Sequence, residues 1–200
     1  MDYQPINFGL GPIDMPDLDF GKIRSWVKKG KDYYEEDTVS AFIHAWIGFN
    51  HYYGTFCNVN SGDFQNWAHE HRGNHRGDKS QLLYLVNHQD FETMWNTFKE
   101  LNPYIFTPHI DLPVTGMLYG NPEPPNFRGR YQLDTLTIEQ IFLITYQVRN
   151  NLFHGSKDPE KNSRDFFLTN LCGSFLIPFL IELIENTRGE VRNTYNNWQW

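Results

Sequence analysis

Cysteine is scarce in this chain: Cys57 and Cys172 are the two among 200 residues. Two cannot build a disulfide framework, and nothing near either has zinc-ligand spacing, which sets aside a stapled secreted scaffold and a zinc module. Positive charge is also short. Seventeen Lys and Arg stand against 24 Asp and Glu, for a formal net charge of −7. That argues against a protein that binds polyanions over its whole surface, since phosphate contacts draw on Lys and Arg; a local basic groove stays compatible with it. Long apolar runs are missing too. The longest stretch free of Asp, Glu, Lys, Arg and His, FFLTNLCGSFLIPFLI at 166–181, is 16 residues long and contains Thr169, Asn170, Ser174 and Pro178. A membrane span wants about 20 predominantly apolar residues, so this reads as a buried central helix. The start, MDYQPINFGLGPIDMPDLDF, lacks the basic opening and apolar run of a signal peptide. Internal repeats, low-complexity tracts and convincing period-two strands are absent as well. The expectation is a soluble cytoplasmic protein with no membrane partner and no cofactor or metal.

Aromatic residues are abundant, with 16 Phe, 11 Tyr and 6 Trp. Such rings suit a thick helical core and also suit stacking on bases, and apolar residues at helical spacing are mostly packing. Residues 1–31 are rich in Pro, Gly and Asp, carry one short helical pattern around Lys22–Lys29, and read as an arm lying on the domain. The domain itself spans 32–190, with 191–200 as a tail. In its first strong helix, DTVSAFIHAWIGFNHYY, Val39, Phe42, Ile43, Trp46, Phe49 and Tyr53 share one face, and Gly54 is placed to end it. Residues 54–78 read as a loop. A second helical region runs from about Ser80 to Leu101, with NHQD as its interruption. The Pro- and Gly-rich stretch 102–134 is a long loop or insertion. TIEQIFLITYQVRNNLFH, 137–154, forms a third helix with Ile138, Ile141, Thr145, Val148 and Leu152 buried, and Gly155 suits a left-handed end. Asp158-Pro159 looks like the cap of a last helix running to about Thr187. The fold class is therefore all-α, a bundle of four to five helices with long inserted loops.

One short segment concentrates chemistry. VRNNLFHGSK places Arg149, Asn150 and His154 at the end of the third helix. An Arg followed by His at this separation is expected about once by chance in such a composition, so its surroundings must carry the weight. Asn150 and His154 are four apart and share a face, so the amide can hold the imidazole. Arg149 and His154 are five apart, about 140° round a regular helix. They converge only if the helix end loosens or a second copy supplies one partner. Together an imidazole and a guanidinium can shuttle a proton and stabilise charge on phosphorus. The residues alone leave open a plain polar helix end whose His caps a carbonyl, dispensable to the fold. Lys157, Lys161 and Arg164 make the next segment locally positive, either as phosphate contacts or as a solvated helix start. Asn50, on the buried side of the first helix, needs partners and is either structural or a support of the Arg–His site. His69, His71 and His75, with Arg72 and Arg76, could hold a metal or phosphate, but a polar loop is favoured because no Cys, Asp or Glu completes a ligand set. No Ser, Cys or carboxylate is visibly placed to act as a nucleophile.

Two segments in order resemble one family. FIHAWIGFNHYYG, 42–54, resembles the Phe-x-x-x-Trp-x-x-Phe-Asn-x-x-Tyr helix of HEPN-domain proteins, and RNNLFHG, 149–155, resembles their Arg-x(4–6)-His motif. The likeness covers roughly residues 33–187. It implies a helical bundle that dimerises through the motif helix, with metal-independent endoribonuclease activity in the service of a toxin or of defence against phage. By the same likeness Arg149 and His154 are the catalytic pair, Asn150 its polar support and Asn50 a residue behind it. RNA is the implied substrate, and an antitoxin or regulatory protein an implied partner. One branch has a Tyr two residues after the His as a modification target. Ser156 stands there in this chain, which departs from that branch. Other members have lost catalysis and bind RNA, a nucleotide or a partner protein.

Overall fold

The computed structural model describes residues 20–71, 77–114, 128–154, 159 and 161–187. Among them lie seven α-helices: α1 (Phe20–Tyr33), α2 (Thr38–Val59), α3 (Ser61–Glu70), α4 (Asp78–Val86), α5 (Gln89–Leu101), α6 (Ile138–Phe153) and α7 (Ser163–Asn186). The fold is all-α, with more helices than the four or five expected. The additional ones come from segments too short or too polar to show a clear helical stripe.

α1 is the first such difference. It is longer than the pattern around Lys22–Lys29, and Ile23, Val27 and Gly30 are buried one turn apart along it. Residues 20–31 thus belong to the bundle instead of lying over it as an arm. Contact with α2 is close because glycines sit on the crossing. A Cβ on Gly30 would stand 2.9 Å from the Ala41 carbonyl oxygen and 3.1 Å from the Ala45 nitrogen, and one on Gly48 would stand 2.8 Å from Val27 Cγ2. Backbone on the far side of Gly30 cannot yield cheaply. Gly30→Ala should therefore cost about 1–3 kcal/mol in urea unfolding despite alanine's better helix propensity. A more stable variant would show that the two helices are not at closest approach.

α2 runs through Gly54 to Val59, correcting the expected stop. A mid-helix glycine costs only about 1 kcal/mol, and the buried side chains of Phe56 and Cys57 hold the last turns on the core. The part of the expected 54–78 loop up to residue 71 is accordingly not a loop. It contains the end of α2 and all of α3, which buries no residue fully and leans Phe64 and Trp67 on Tyr84 at ring distances of 5.3 and 5.7 Å.

The start of α2 is set by Asp37. Its carboxylate accepts from the Val39 and Ser40 backbone N–H groups at 3.1 and 3.0 Å and from the Ser40 hydroxyl at 2.5 Å. The Ser40 hydroxyl above all, then its N–H, holds the Asp37 carboxyl below the usual range. Asp37→Ala should cost about 1 kcal/mol at neutral pH. A depressed folded pKa means this contribution is complete above the unfolded value near 4 (about 3.9 for Asp) and fades as pH falls through the folded one. The difference in melting temperature between the variant and the parent should shrink as pH falls below the unfolded value.

The interruption at NHQD is where expected, α4 ending at Val86 and α5 starting at Gln89. The stretch after α5 holds two strands the sequence did not reveal. β1 (His109–Leu112) and β2 (Gly129–Gln132) pair antiparallel, His109 opposite Gln132 and Leu112 opposite Gly129. Ile110, Leu112 and Val114 point inward. Four-residue strands are too short for alternation to register. α7 starts at Ser163, not after Asp158-Pro159. Asn162 caps it, accepting from the Arg164 and Asp165 N–H groups at 2.9 and 3.3 Å; Asp158 lies outside the described residues, as do Gly155 and the tail 191–200. Pro178 sits within α7.

α7 is apolar and long enough to cross a membrane by length and composition, yet 78% of its most apolar window is buried in its own bundle. Its Phe175 and Phe179 meet Trp95 edge-on at 5.9 and 4.9 Å, and Trp95 also meets Phe142 of α6 at 5.1 Å. These rings join α5, α6 and α7 into one core, which fixes where the end of α6 emerges.

Candidate functional site

α6 is well specified at its start. The Thr137 hydroxyl accepts from the Gln140 N–H at 3.2 Å and the Gln140 side chain accepts from the Thr137 N–H at 2.9 Å, a reciprocal cap. Ile141 to Thr145 are all buried. Further along, Gln147 and Asn151 are buried as well and satisfy each other, Gln147 Nε2 donating to Asn151 Oδ1 at 2.7 Å. Exposed side chains come only at the end of α6. Arg149 and Asn150 are half-buried, while Phe153 and His154 are exposed.

Arg149 is held from several sides. Its Nη1 lies 3.2 Å from Asp78 Oδ2 and donates to Asn150 Oδ1 at 2.8 Å. Its guanidinium carbon sits 5.0, 5.7 and 5.8 Å from the ring centres of Phe153, Tyr146 and Trp46, within reach of cation–π attraction. Nε is buried without a hydrogen-bond partner. Arg149 is therefore not the solvent-facing residue of the sequence reading.

Asp78 is the residue that sequence reasoning missed. It opens α4, where the helix dipole favours a carboxylate, and it follows Gly77, whose φ of +150° suits glycine. Its Oδ1 accepts from Asn50 Nδ2 at 2.6 Å and from the Tyr53 hydroxyl. Asn50 Nδ2 also reaches the Tyr53 oxygen. Burial first, and then Asp78, push the Tyr53 hydroxyl well above its ordinary pKa, so it stays a donor at any working pH. Asn50 thus touches Asp78 and reaches Arg149 only through it. A carboxylate stands beside the arginine after all.

Asn150 does not hold the imidazole as expected. Its side-chain oxygen serves Arg149, a charged and therefore stronger donor, while its backbone carbonyl accepts the His154 N–H at 3.0 Å. The His154 ring makes no hydrogen bond to the described residues. No protein-family model, curated protein or solved structure matches this chain.

The remaining sequence-derived residues separate from this cluster. Arg164 Nη2 donates to the carbonyls of Asp111 and Pro113, both at 3.1 Å, pinning β1 to the start of α7. That is a structural use of a residue read as a phosphate contact. Lys161 is exposed, and Lys157 lies outside the described residues. His71 is committed to Trp67, its Nδ1 2.9 Å from the Trp67 carbonyl oxygen and its ring stacked at 4.4 Å. His75, Arg72 and Arg76 also lie outside. Among the described residues no group of three His, Cys, Asp or Glu could hold a metal ion. The site therefore offers a fixed guanidinium and, at the same helix end, an exposed imidazole.

Proposed function

We propose that the chain is a HEPN-type endoribonuclease that cuts RNA with Arg149 and His154 and works as a homodimer. The observation that supports this most is the fixing of Arg149, a guanidinium held by Asp78, Asn150 and three rings at the helix end that exposes His154. Preorganised positive charge is what a phosphorane-like transition state requires. The nucleophile is the substrate's own 2′-hydroxyl: its oxygen bonds to phosphorus, its proton passes to water, and the P–O5′ bond breaks. His154 in its protonated form gives its proton to the departing 5′-oxygen. The products are a 2′,3′-cyclic phosphate and a 5′-hydroxyl. Exposed Phe153, at 52%, adds an apolar ring where the motif helices of two copies would meet. A toxin or phage-defence role, checked by a partner antitoxin, accords with such an activity.

Incubating the purified protein with total RNA and defined oligoribonucleotides tests this. Cleavage should persist in EDTA, since the guanidinium carries the electrostatic role, and a single 2′-deoxy substitution at the cut site should abolish it. A requirement for Mg²⁺, or products carrying 5′-phosphates, would remove the proposal. Sedimentation that finds only monomer at tens of micromolar would remove its dimeric half. The ion pair to Asp78 favours a second reading, a non-catalytic module that binds RNA, a nucleotide or a partner protein. Binding without cleavage in the same assay would select it.

A further inference from the structure

The Arg149 guanidinium carries five N–H groups, and the structure accounts for them unevenly. Nη1 donates to Asn150 Oδ1 at 2.8 Å and stands 3.2 Å from Asp78 Oδ2 in an ion pair. Nε is buried and points at no acceptor. Nη2 has no hydrogen bond to the described residues. The carboxylate that fixes Nη1 is itself fixed through its other oxygen by Asn50 and Tyr53. Two helices, α2 and α4, thus act on one nitrogen of a residue on α6.

We propose that Asp78 is a positioning residue, which clamps Nη1 of Arg149 so that the Nη2 edge alone meets a phosphodiester of the substrate. Asn50 and Tyr53 hold the clamp. The inference rests on the ribonuclease reading for its substrate and extends it to Asp78, which neither motif contains. An unclamped arginine would turn about its long side chain and present its fork in many directions, and misplacement by about 1 Å can cost about a hundredfold in rate. The carboxylate also has a cost for binding, because it places negative charge near the phosphate.

These two effects give Asp78→Asn a signature with opposite signs. Turnover should fall at least about tenfold, while KM, and the Kd for a non-cleavable 2′-O-methyl oligoribonucleotide, should stay level or tighten. A merely structural role would weaken both in step with a lowered melting temperature, and would overturn the proposal. Unchanged or faster turnover would show a competitor of phosphate instead of a clamp, and would overturn it as well.

Side-chain ¹⁵N spectra of Arg149 report the clamp without any need for activity. The wild type should show two resolved Nη signals, one of which shifts when the 2′-O-methyl oligonucleotide is added, and Asp78→Asn should show one averaged signal. Averaged signals in the wild type, or no shift on adding oligonucleotide, overturn the clamp even if RNA is cut. A wild type that cuts nothing, yet shows resolved signals and that shift, ends the ribonuclease reading and leaves the phosphate edge standing.

Discussion

His154→Ala is expected to lower RNA cleavage by about 10²–10⁴-fold while leaving the melting temperature close to that of the parent. The rate loss is the usual contribution of a positioned proton donor. The small stability change follows from the structure: the ring is exposed and bonds to none of the described residues, and only its backbone N–H closes the last turn. Alanine keeps that N–H. Surface substitutions of this kind usually stay within about 0.5 kcal/mol. Arg149→Ala should look different, although the sequence treats the two residues alike. It should lose a comparable amount of rate and also destabilise, because it leaves the Asp78 carboxylate, itself bonded to Asn50 and Tyr53, without its cation. Rate assays at matched folded fraction, paired with urea unfolding, separate the two. If His154→Ala keeps full activity, the pair is not catalytic. If it unfolds as readily as a core truncation, the residue is structural and its catalytic assignment falls.

This contrast between neighbours shows what the residue pattern could and could not convey. Periodicity placed α2, α6 and α7 because each buries long apolar stretches, and the Thr137–Gln140 cap is written locally in four residues. It placed Arg149 and His154 at the surfacing end of α6 for the same reason. α3 escaped because its side chains bury nothing completely, and the hairpin because four residues hold too little alternation to stand out. Partners were harder still. Asp78, Asn50 and Arg149 come from three helices, and no local spacing records that their side chains converge. Arg164 carried a positive charge in a basic segment, and nothing in its neighbours along the chain pointed to the two carbonyls of the hairpin that it binds. The available hint was narrow: an acidic residue directly after a glycine at a helix start, and an amide three residues before a tyrosine on a buried face.

The ring behind the site gives the largest stability effect. Trp46→Ala should cost about 3–5 kcal/mol. Trp46 is 1% exposed and lies among Phe42, Phe49, Tyr53 and Tyr146 at ring distances of 6.3, 5.6, 6.4 and 6.1 Å. Truncation removes the largest side chain type from a place where the backbone of α2, held by α1 on its other flank, cannot collapse to fill the space. Domains of this kind hold about 5–15 kcal/mol in total, so the variant should lose about a fifth or more of its stability. At about 2–4 °C per kcal/mol for this chain length, the melting temperature should fall by about 6–20 °C. Trp46→Phe makes the comparison sharper. The indole Nε1 is buried without a partner, so phenylalanine forfeits no hydrogen bond and removes an unsatisfied donor. Its cost should be well under half that of alanine. Equal losses for the two would mean that the full width of the indole, which phenylalanine does not fill, carries the packing; a loss below about 1 kcal/mol for alanine would mean that the ring is not part of the core at all.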